Sequence, residues 1–107
     1  AFLDILVDAG IEVIAEGPDE SGLLDGIFAY DPSILTDAGA VLLRPGKELR
    51  RAEVARHEAS YAARGVPIRG RIEGPGTVEG GDTLWLDERT LAVGRGYRTD
   101  DAGIDPL

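Results

Sequence analysis

Short apolar blocks, separated by glycine, proline and charged residues, run along most of the chain. The first block, residues 1–8, has helical spacing and ends before Gly10, which predicts a helix. An Ala-, Glu- and Arg-rich segment, Leu49 to Arg64, predicts a second helix that ends at Gly65. The remaining blocks predict strands: Ile11 to Ala15, Ile27 to Tyr30, Ile34 to Leu35, Ala40 to Leu43, Val66 to Ile72, Thr83 to Leu86 and Leu91 to Val93.

The connections between these blocks predict a repeated unit. Thr36-Asp37-Ala38-Gly39 suits a hairpin, and a second hairpin is expected across Asp87 to Thr90. Pro67 indicates that the strand reaching toward Ile72 lies at a sheet edge or begins there. The order hairpin, helix, strand is complete once, with a partial copy on each side, and the period is near 50 residues. Such repetition indicates a radial or stacked assembly of α/β units.

Both ends of the pattern suggest a fragment. No capping residue precedes the first helix. Near the other end, Thr99 is a candidate N-cap with Asp100 and Asp101 in the first helical turn. The sequence then stops at Leu107, where that helix should continue. We therefore expect residues 1–107 to be one incomplete catalytic domain.

Composition narrows the function classes. The 107 residues carry a formal net charge of −9, which disfavours nucleic acid and anionic membranes as partners. The chain has no cysteine, so it offers neither a disulfide framework nor a thiol nucleophile. No apolar run approaches the roughly 18 residues of a membrane span, and no signal-peptide pattern opens the sequence. A cytoplasmic location is expected.

Two carboxylate-bearing segments are candidates for chemistry. Asp25 and Asp31 flank the block Ile27 to Tyr30, although a simple strand end explains Asp31-Pro32 better when that segment is taken alone. In the segment Glu79-Gly80-Gly81-Asp82, adjacent glycines permit close backbone approach to a ligand, and Glu79 and Asp82 could then face a cationic or hydrogen-bonding substrate. An ordinary glycine turn is an equal alternative. A calcium loop needs more oxygen ligands than this segment offers, so no metal site is predicted.

Other polar segments give weaker signals. Gly94-Arg95-Gly96 lacks both the third glycine and the parallel crossover of a dinucleotide site. Arg98-Thr99 at a helix start could bind a carboxylate. Arg50-Arg51, as a bare pattern, is more typical of a solvated helix start. We expect His57 to lie on the surface, paired with Glu53, and assign it no chemistry.

Taken together, four ordered motifs resemble the dimethylarginine dimethylaminohydrolases, members of the pentein (arginine deiminase and amidinotransferase) superfamily. They are Asp25-x-x-Phe28-x-x-Asp31-Pro32, Arg50-Arg51-x-Glu53, Pro75-Gly76-Thr77-Val78-Glu79-Gly80-Gly81-Asp82 and Arg98-Thr99. The resemblance implies an α/β propeller of five ββαβ modules. About two and a half of the modules would lie in this chain.

The resemblance also implies roles. Asp31 and Glu79 would bind the substrate guanidinium, and Glu79 would also orient a catalytic histidine. Asp25 would approach the amino-acid end, with Tyr30 contributing only a backbone contact, while Arg50 and Arg98 would hold the α-carboxylate. The nucleophilic cysteine and the histidine of the family would both lie beyond Leu107. Asp100 departs from the asparagine usual after Arg98-Thr99 and adds negative charge near the carboxylate site.

The activity that the resemblance implies is hydrolysis of methylated arginine to citrulline through a cysteine thiouronium intermediate. It implies no cofactor. The partner would be a small guanidino substrate, and a homodimer is one possible assembly. One helix alone separates Asp31 from Glu79, which favours this branch over arginine deiminases and amidinotransferases. A non-catalytic, guanidine-binding fragment is the alternative from another class. By itself the chain is predicted to be inactive.

Overall fold

The computed structural model describes residues 1–15, 22–23 and 25–107. A short helix, α1 (Phe2–Asp8), is followed much later by the hairpin strands β1 (Ser33–Thr36) and β2 (Gly39–Leu42). A 3-10 turn, Glu48–Arg50, leads directly into helix α2 (Arg51–Ala63), and strand β3 (Ile68–Arg71) follows. The last elements are a 3-10 turn and another hairpin and helix: Gly80–Asp82, β4 (Thr83–Asp87), β5 (Thr90–Val93) and α3 (Asp101–Ile104).

The strands form two sheets. In the first, the order is β1-β2-β3, with β1 and β2 antiparallel and β2 and β3 parallel. Helix α2 makes the crossover between the parallel strands, which completes one ββαβ module. In the second sheet β4 pairs with β5 in antiparallel register, and α3 follows. The predicted period is therefore confirmed for the complete unit and the copy after it, since β1 begins at Ser33 and β4 at Thr83. The partial copy predicted before the complete unit forms no strand within the described residues.

Gly39 shows why the first hairpin needs a glycine. Its φ is +133°, a backbone conformation that L side chains rarely adopt. A Cβ built there would also lie 2.2 Å from the carbonyl oxygen of Pro67. The turn thus admits β3 alongside β2 only because no side chain stands between them.

A small apolar core lies under the first sheet and reaches the start of the second module. Its buried members come from strand β1 and from the segments after β2, after β3 and before β4: Ile34, Leu43, Ile72 and Val78. An isolated antiparallel bridge between Arg44 and Val78 ties the end of the first hairpin to this last segment. The core therefore fixes the segment that carries Glu79 against the first module.

Two predicted strands are wrong. Residues 11–15 have no strand conformation, and Asp25 to Asp31 folds as successive turns. The amide N–H of Phe28 donates to the carbonyl of Asp25 at 2.9 Å, and that of Asp31 donates to the carbonyl of Phe28 at 3.2 Å. An apolar block becomes a strand only where another strand pairs with it, and in residues 25–31 these local bonds satisfy backbone groups instead. Within the described residues, no helix has the length and apolar character needed to cross a membrane.

Candidate functional site

Asp31 lies where the turns of residues 25–31 meet the segment before β4. Its Oδ1 accepts a hydrogen bond from the Gly81 amide at 2.8 Å, and its Oδ2 is paired with Nη1 of Arg50. Its backbone carbonyl accepts a hydrogen bond from the Gly80 amide at 3.1 Å. These contacts hold the carboxylate rigidly between the two modules.

The two glycines at this contact have no room for a side chain. A Cβ on Gly80 would lie 1.9 Å from the carbonyl oxygen of Tyr30, and one on Gly81 would lie 2.5 Å from Oδ1 of Asp31. The close approach expected from Gly80-Gly81 is therefore made by the protein's own chain. The two glycines let the segment that follows Glu79 pack directly against Asp31.

Arg50 is buried among carboxylates and carbonyls. Nη2 donates to Glu53 Oε2 at 2.7 Å, to the Phe28 carbonyl at 3.1 Å and to the Asp25 carbonyl at 3.2 Å, while Nε donates to Glu53 Oε1 at 3.0 Å. The hydrogen bonds to Glu53, and then the one to Asp31, raise the pKa of Arg50 above its ordinary value. The prediction that Arg50-Arg51 is a solvated helix start is wrong for Arg50, because residues distant in sequence enclose its guanidinium.

Glu79 is a buried carboxylate with one open acceptor. Its Oε1 accepts from the Gly46 amide at 3.1 Å, and its side chain is 1% exposed. Its Oε2 has no hydrogen-bond donor among the described residues, although Nη1 of Arg98 lies 3.2 Å away. We take that contact as an ion pair with poor hydrogen-bond direction. A ligand donor is the natural partner for an acceptor left in this state.

Arg98 is the accessible member of its pair, since 41% of its side chain is exposed. Thr99 beside it is fully buried, donates to Asp82 Oδ2 at 2.6 Å and accepts from the Glu79 amide at 3.1 Å. The prediction that Thr99 caps the last helix is therefore wrong. Asp100 caps it, because its Oδ1 accepts from the Gly103 amide at 2.9 Å.

The cap also explains the charge state of Asp100. Its carboxylate accepts the Thr77 amide at 3.0 Å as well as the Gly103 amide, and these hydrogen bonds lower its pKa. The negative charge that departs from the family pattern is thus stabilised by backbone donors of α3 and of Thr77. The expected effect of the Asp100 charge on the binding of a substrate carboxylate stays a prediction.

Asp25 and Tyr30 lie on the outer side of the turns. Asp25 Oδ2 pairs with Nζ of Lys47 at 2.9 Å, and that hydrogen bond lowers the pKa of Asp25. Tyr30 is exposed, and its carbonyl packs on Gly80. The structure brings Asp31, Arg50, Glu79 and Arg98 into contacting pairs and leaves these two at the rim. The predicted ligand roles of all six residues remain predictions.

His57 has a partner other than the predicted one. Its Nδ1 lies 2.8 Å from Ser33 Oγ, which in turn lies 2.7 Å from the hydroxyl of Tyr61. Glu53, the expected partner, is engaged by Arg50. The predicted His57–Glu53 pair is wrong, because the buried arginine competes for the same carboxylate.

Two groups with a positioning role escaped the sequence analysis. Gly46 donates to Glu79, and a Cβ on it would lie 2.9 Å from Cα of Arg98. The Thr99–Asp82 hydrogen bond supports the Glu79 backbone from the other side. The only sequence signal was a glycine after Pro45 and a threonine after Arg98, and neither residue type indicates which residue it contacts in the fold.

Within the described residues, no group of three or more His, Cys, Asp or Glu side chains is arranged to hold a metal ion.

Comparison with known proteins gives a consistent result. The sequence profile of the family described as arginine deiminase matches residues 24–107. The chain is 36% identical over 107 residues to an N(G),N(G)-dimethylarginine dimethylaminohydrolase of Streptomyces coelicolor, covering all of this chain and 40% of that protein. It is 34% identical over 103 residues to the enzyme of the same name from Pseudomonas aeruginosa, covering 96% of this chain and 40% of the relative.

Solved structures agree with the sequence comparison. The dimethylarginine dimethylaminohydrolase of Pseudomonas aeruginosa, as a Cys-to-Ser mutant in complex with citrulline, matches with a TM-score of 0.87 and 32% identity. The match covers 98% of this chain and 40% of that one. This likeness confirms the predicted fold class, a pentein-type α/β propeller. The chain spans about two fifths of the length of the curated relatives that it matches.

Proposed function

The chain belongs to the arginine deiminase family, and on that premise we propose that it supplies the substrate-binding part of a hydrolase that acts on methylated arginine. The observation that carries the proposal is the pair Glu79 and Arg98. A buried carboxylate with an open oxygen lies beside a half-exposed arginine. Such a pair offers one group for a guanidinium and another for a carboxylate, the two ends of an arginine-like ligand.

Charge balance supports a cationic ligand. Asp31 and Glu53 share the single buried cation of Arg50, so that cluster holds one negative charge in excess. The Glu79–Arg98 pair is neutral. A bound guanidinium would compensate the excess, and the planar cation would match the carboxylates of Asp31 and Glu79. Similarity to the two named enzymes over nearly the whole chain supports the same class of substrate.

The reaction needs groups that this chain does not hold. It contains no cysteine, and its one histidine, His57, is hydrogen-bonded to Ser33. In the proposed mechanism a cysteine thiolate from sequence beyond this chain adds to the guanidinium carbon. The bond to the methylated nitrogen breaks, and a histidine protonates the departing amine. Water then hydrolyses the thiouronium to citrulline and releases the thiolate. Glu79 would bind the guanidinium and orient that histidine.

The test is citrulline release from asymmetric dimethylarginine, with arginine as a parallel substrate, by the complete protein that contains this chain. The 107-residue chain alone is the control and should release none, because it lacks a thiol. Release from dimethylarginine supports the proposal. Release from arginine alone would move the activity to the deiminases, the second candidate, which the description of the matching family favours. Release from neither would leave a non-catalytic guanidine-binding role.

Two further parts of the proposal concern the setting of the enzyme. We expect a cytoplasmic location, which subcellular fractionation with an antibody to this chain would check. A homodimer is one possible assembly of the complete protein, and light scattering would measure its mass. A monomer mass, or recovery outside the cytoplasmic fraction, would contradict the respective expectation.

A further inference from the structure

The oxygen of Glu79 that lacks a hydrogen bond is also out of reach of solvent. Oε2 is buried and has no hydrogen-bond donor among the described residues, and only 1% of the side chain is exposed. Nη1 of Arg98 lies 3.2 Å from this oxygen, and 41% of the Arg98 side chain is exposed. A ligand donor can reach Oε2 only after a covering group moves. Arg98 is the charged, solvent-exposed group that contacts it.

The carboxylate is held by contacts that do not involve the Arg98 side chain. Oε1 of Glu79 accepts a hydrogen bond from the Gly46 amide at 3.1 Å. The Glu79 amide donates to Thr99 Oγ1 at 3.1 Å, and that hydroxyl donates to Asp82 Oδ2 at 2.6 Å. We therefore expect Glu79 to stay in place when Arg98 moves away.

The backbone of Arg98 is fixed, whereas its side chain is not. A Cβ on Gly46 would lie 2.9 Å from the Arg98 Cα, so the two backbones are in close contact. Thr99, the next residue, is fully buried. Within the part of the chain that the structure describes, the contact with Glu79 is the only ion pair or hydrogen bond of the Arg98 guanidinium. Rotation of the side chain is therefore sufficient to uncover Oε2.

An exchange of partners favours a ligand that carries both charges. If Arg98 leaves alone, Glu79 becomes a buried carboxylate without a counter-ion, which is costly. A ligand guanidinium that takes its place restores the pairing on Glu79, and the displaced arginine can bind a carboxylate through two parallel hydrogen bonds. A ligand with both ends thus replaces one ion pair by two. A ligand with one end replaces the pair at best, or breaks it.

We propose that the Glu79–Arg98 ion pair closes the site in the ligand-free protein and is replaced by the two ends of the substrate. This inference rests on the proposed function and deepens it. The guanidinium and carboxylate subsites are coupled, because binding at one releases the residue that binds at the other. The substrate class is thereby restricted to guanidino compounds that carry a carboxylate in the same molecule.

The experiment offers the two ends to the complete protein on separate molecules. Norvaline carries the amino-acid end without a guanidinium, and butylguanidine carries the guanidinium without a carboxylate. Calorimetry measures the binding of each to the wild type and to the variants. Butylguanidine should bind Arg98→Met at least about fivefold more tightly than the wild type, because Oε2 is no longer covered. Norvaline should bind Glu79→Gln at least about fivefold more tightly, because Arg98 is no longer engaged in an ion pair.

The two-ended substrate should respond in the opposite direction. Arg98→Met should lower kcat/KM on asymmetric dimethylarginine at least about tenfold, although the same variant gains affinity for butylguanidine. If the subsites were independent, Arg98→Met would leave the binding of butylguanidine unchanged. If Arg98 only stabilised the fold around Glu79, the variant would bind butylguanidine less tightly. Either result would overturn the inference.

Arg95→Met is the matched control for the loss of one positive charge. Arg95 is close to Arg98 in the chain, pairs with Asp101 and is 73% exposed. Its replacement should change the affinity for butylguanidine by no more than about twofold, because solvent and salt screen an exposed charge. A gain as large as that of Arg98→Met would reduce the effect to net charge and would overturn the coupling.

A second measurement needs no variant. In the wild type, methylguanidine near saturation should raise the affinity for acetate at least about threefold, because it displaces Arg98 from Glu79. Titration of the Arg98 Nε resonance by NMR would measure it, and an acetate affinity that is unchanged or lowered would contradict the coupling. If the wild type neither binds nor hydrolyses dimethylarginine, the proposed function fails and this inference fails with it. Absence of the predicted gains in a protein that hydrolyses dimethylarginine overturns the coupling alone.

Discussion

The Asp31–Arg50 and Glu79–Arg98 pairs each join a carboxylate before a hairpin to an arginine before a helix, in consecutive modules, yet they have different partners and exposure. In the first pair both side chains are enclosed, and Glu53 supplies a second carboxylate to the arginine. In the second pair the carboxylate is enclosed, but the arginine reaches solvent and one carboxylate oxygen has no hydrogen bond among the described residues. The two pairs therefore differ in how far the arginine is open to a ligand.

The largest expected effect comes from removing the buried positive charge of Arg50. Arg50→Met should lower the free energy of unfolding by about 3–5 kcal/mol, because it leaves Asp31 and Glu53 buried without a counter-ion. Urea denaturation would measure the loss. Arg51→Met is the matched control, since Arg51 is partly exposed and lies 4.0 Å from its Glu48 partner. It should cost less than about 1 kcal/mol, and equal losses would contradict the contrast.

The Glu79–Arg98 pair, called the open pair because its arginine reaches solvent, is tested by changing its carboxylate. Glu79→Gln keeps an acceptor for the Gly46 amide but removes the charge, so kcat/KM of the complete protein should fall about 100-fold or more. Steady-state kinetics with dimethylarginine would measure it. Glu58→Gln, at a partly exposed pair with Arg71, should change kcat/KM by no more than about twofold. Full activity of Glu79→Gln would mean that the site is assigned wrongly.

Thr99 tests how the open pair is held. Thr99→Val removes the donor to Asp82 and the acceptor for the Glu79 amide, which should cost about 1–3 kcal/mol of unfolding free energy. Thr99→Ser keeps the hydroxyl and should recover most of that loss in the same urea titration. If the serine and valine variants were equally unstable, methyl packing rather than the hydroxyl would hold this segment.

Arg98→Met gives the counterpart to Arg50→Met. Arg98→Met leaves one buried carboxylate, Glu79, without its counter-ion, whereas Arg50→Met leaves two, so we expect a smaller loss of about 2 kcal/mol. The same urea titration compares the two variants directly. A loss as large as that of Arg50→Met would show that the second pair is structural too.

The smallest expected effect concerns the cap beside the open pair. Because hydrogen bonds from the Thr77 and Gly103 amides lower the pKa of Asp100, its ionised form favours the folded state. That contribution is complete above the unfolded-state pKa of about 4 and is lost as pH falls through the lower, folded-state value. Urea titrations from about pH 5 downward should show the wild type losing its advantage over Asp100→Asn. A pH-independent difference between the two proteins would contradict this assignment.

Sequence pattern predicted most of the regular structure because its signals are local. The β1–β2 hairpin, helix α2, the edge strand β3 and the β4–β5 hairpin all follow from apolar blocks bounded by glycine, proline or aspartate. The blocks 11–15 and 27–30 carry similar apolar signals and form no strand. Strand formation needs a partner backbone, and local composition does not specify that partner.

The site shows the same division. The ordered motifs identified the family, and that resemblance singled out Asp31, Glu79, Arg50 and Arg98 as candidate ligand-binding residues. Only the tertiary structure decided that Arg50 is enclosed, that Arg98 is open, and that Asp100 rather than Thr99 caps the last helix. Burial and ion pairing depend on residues 19 to 50 positions apart meeting in space, which no neighbouring sequence encodes.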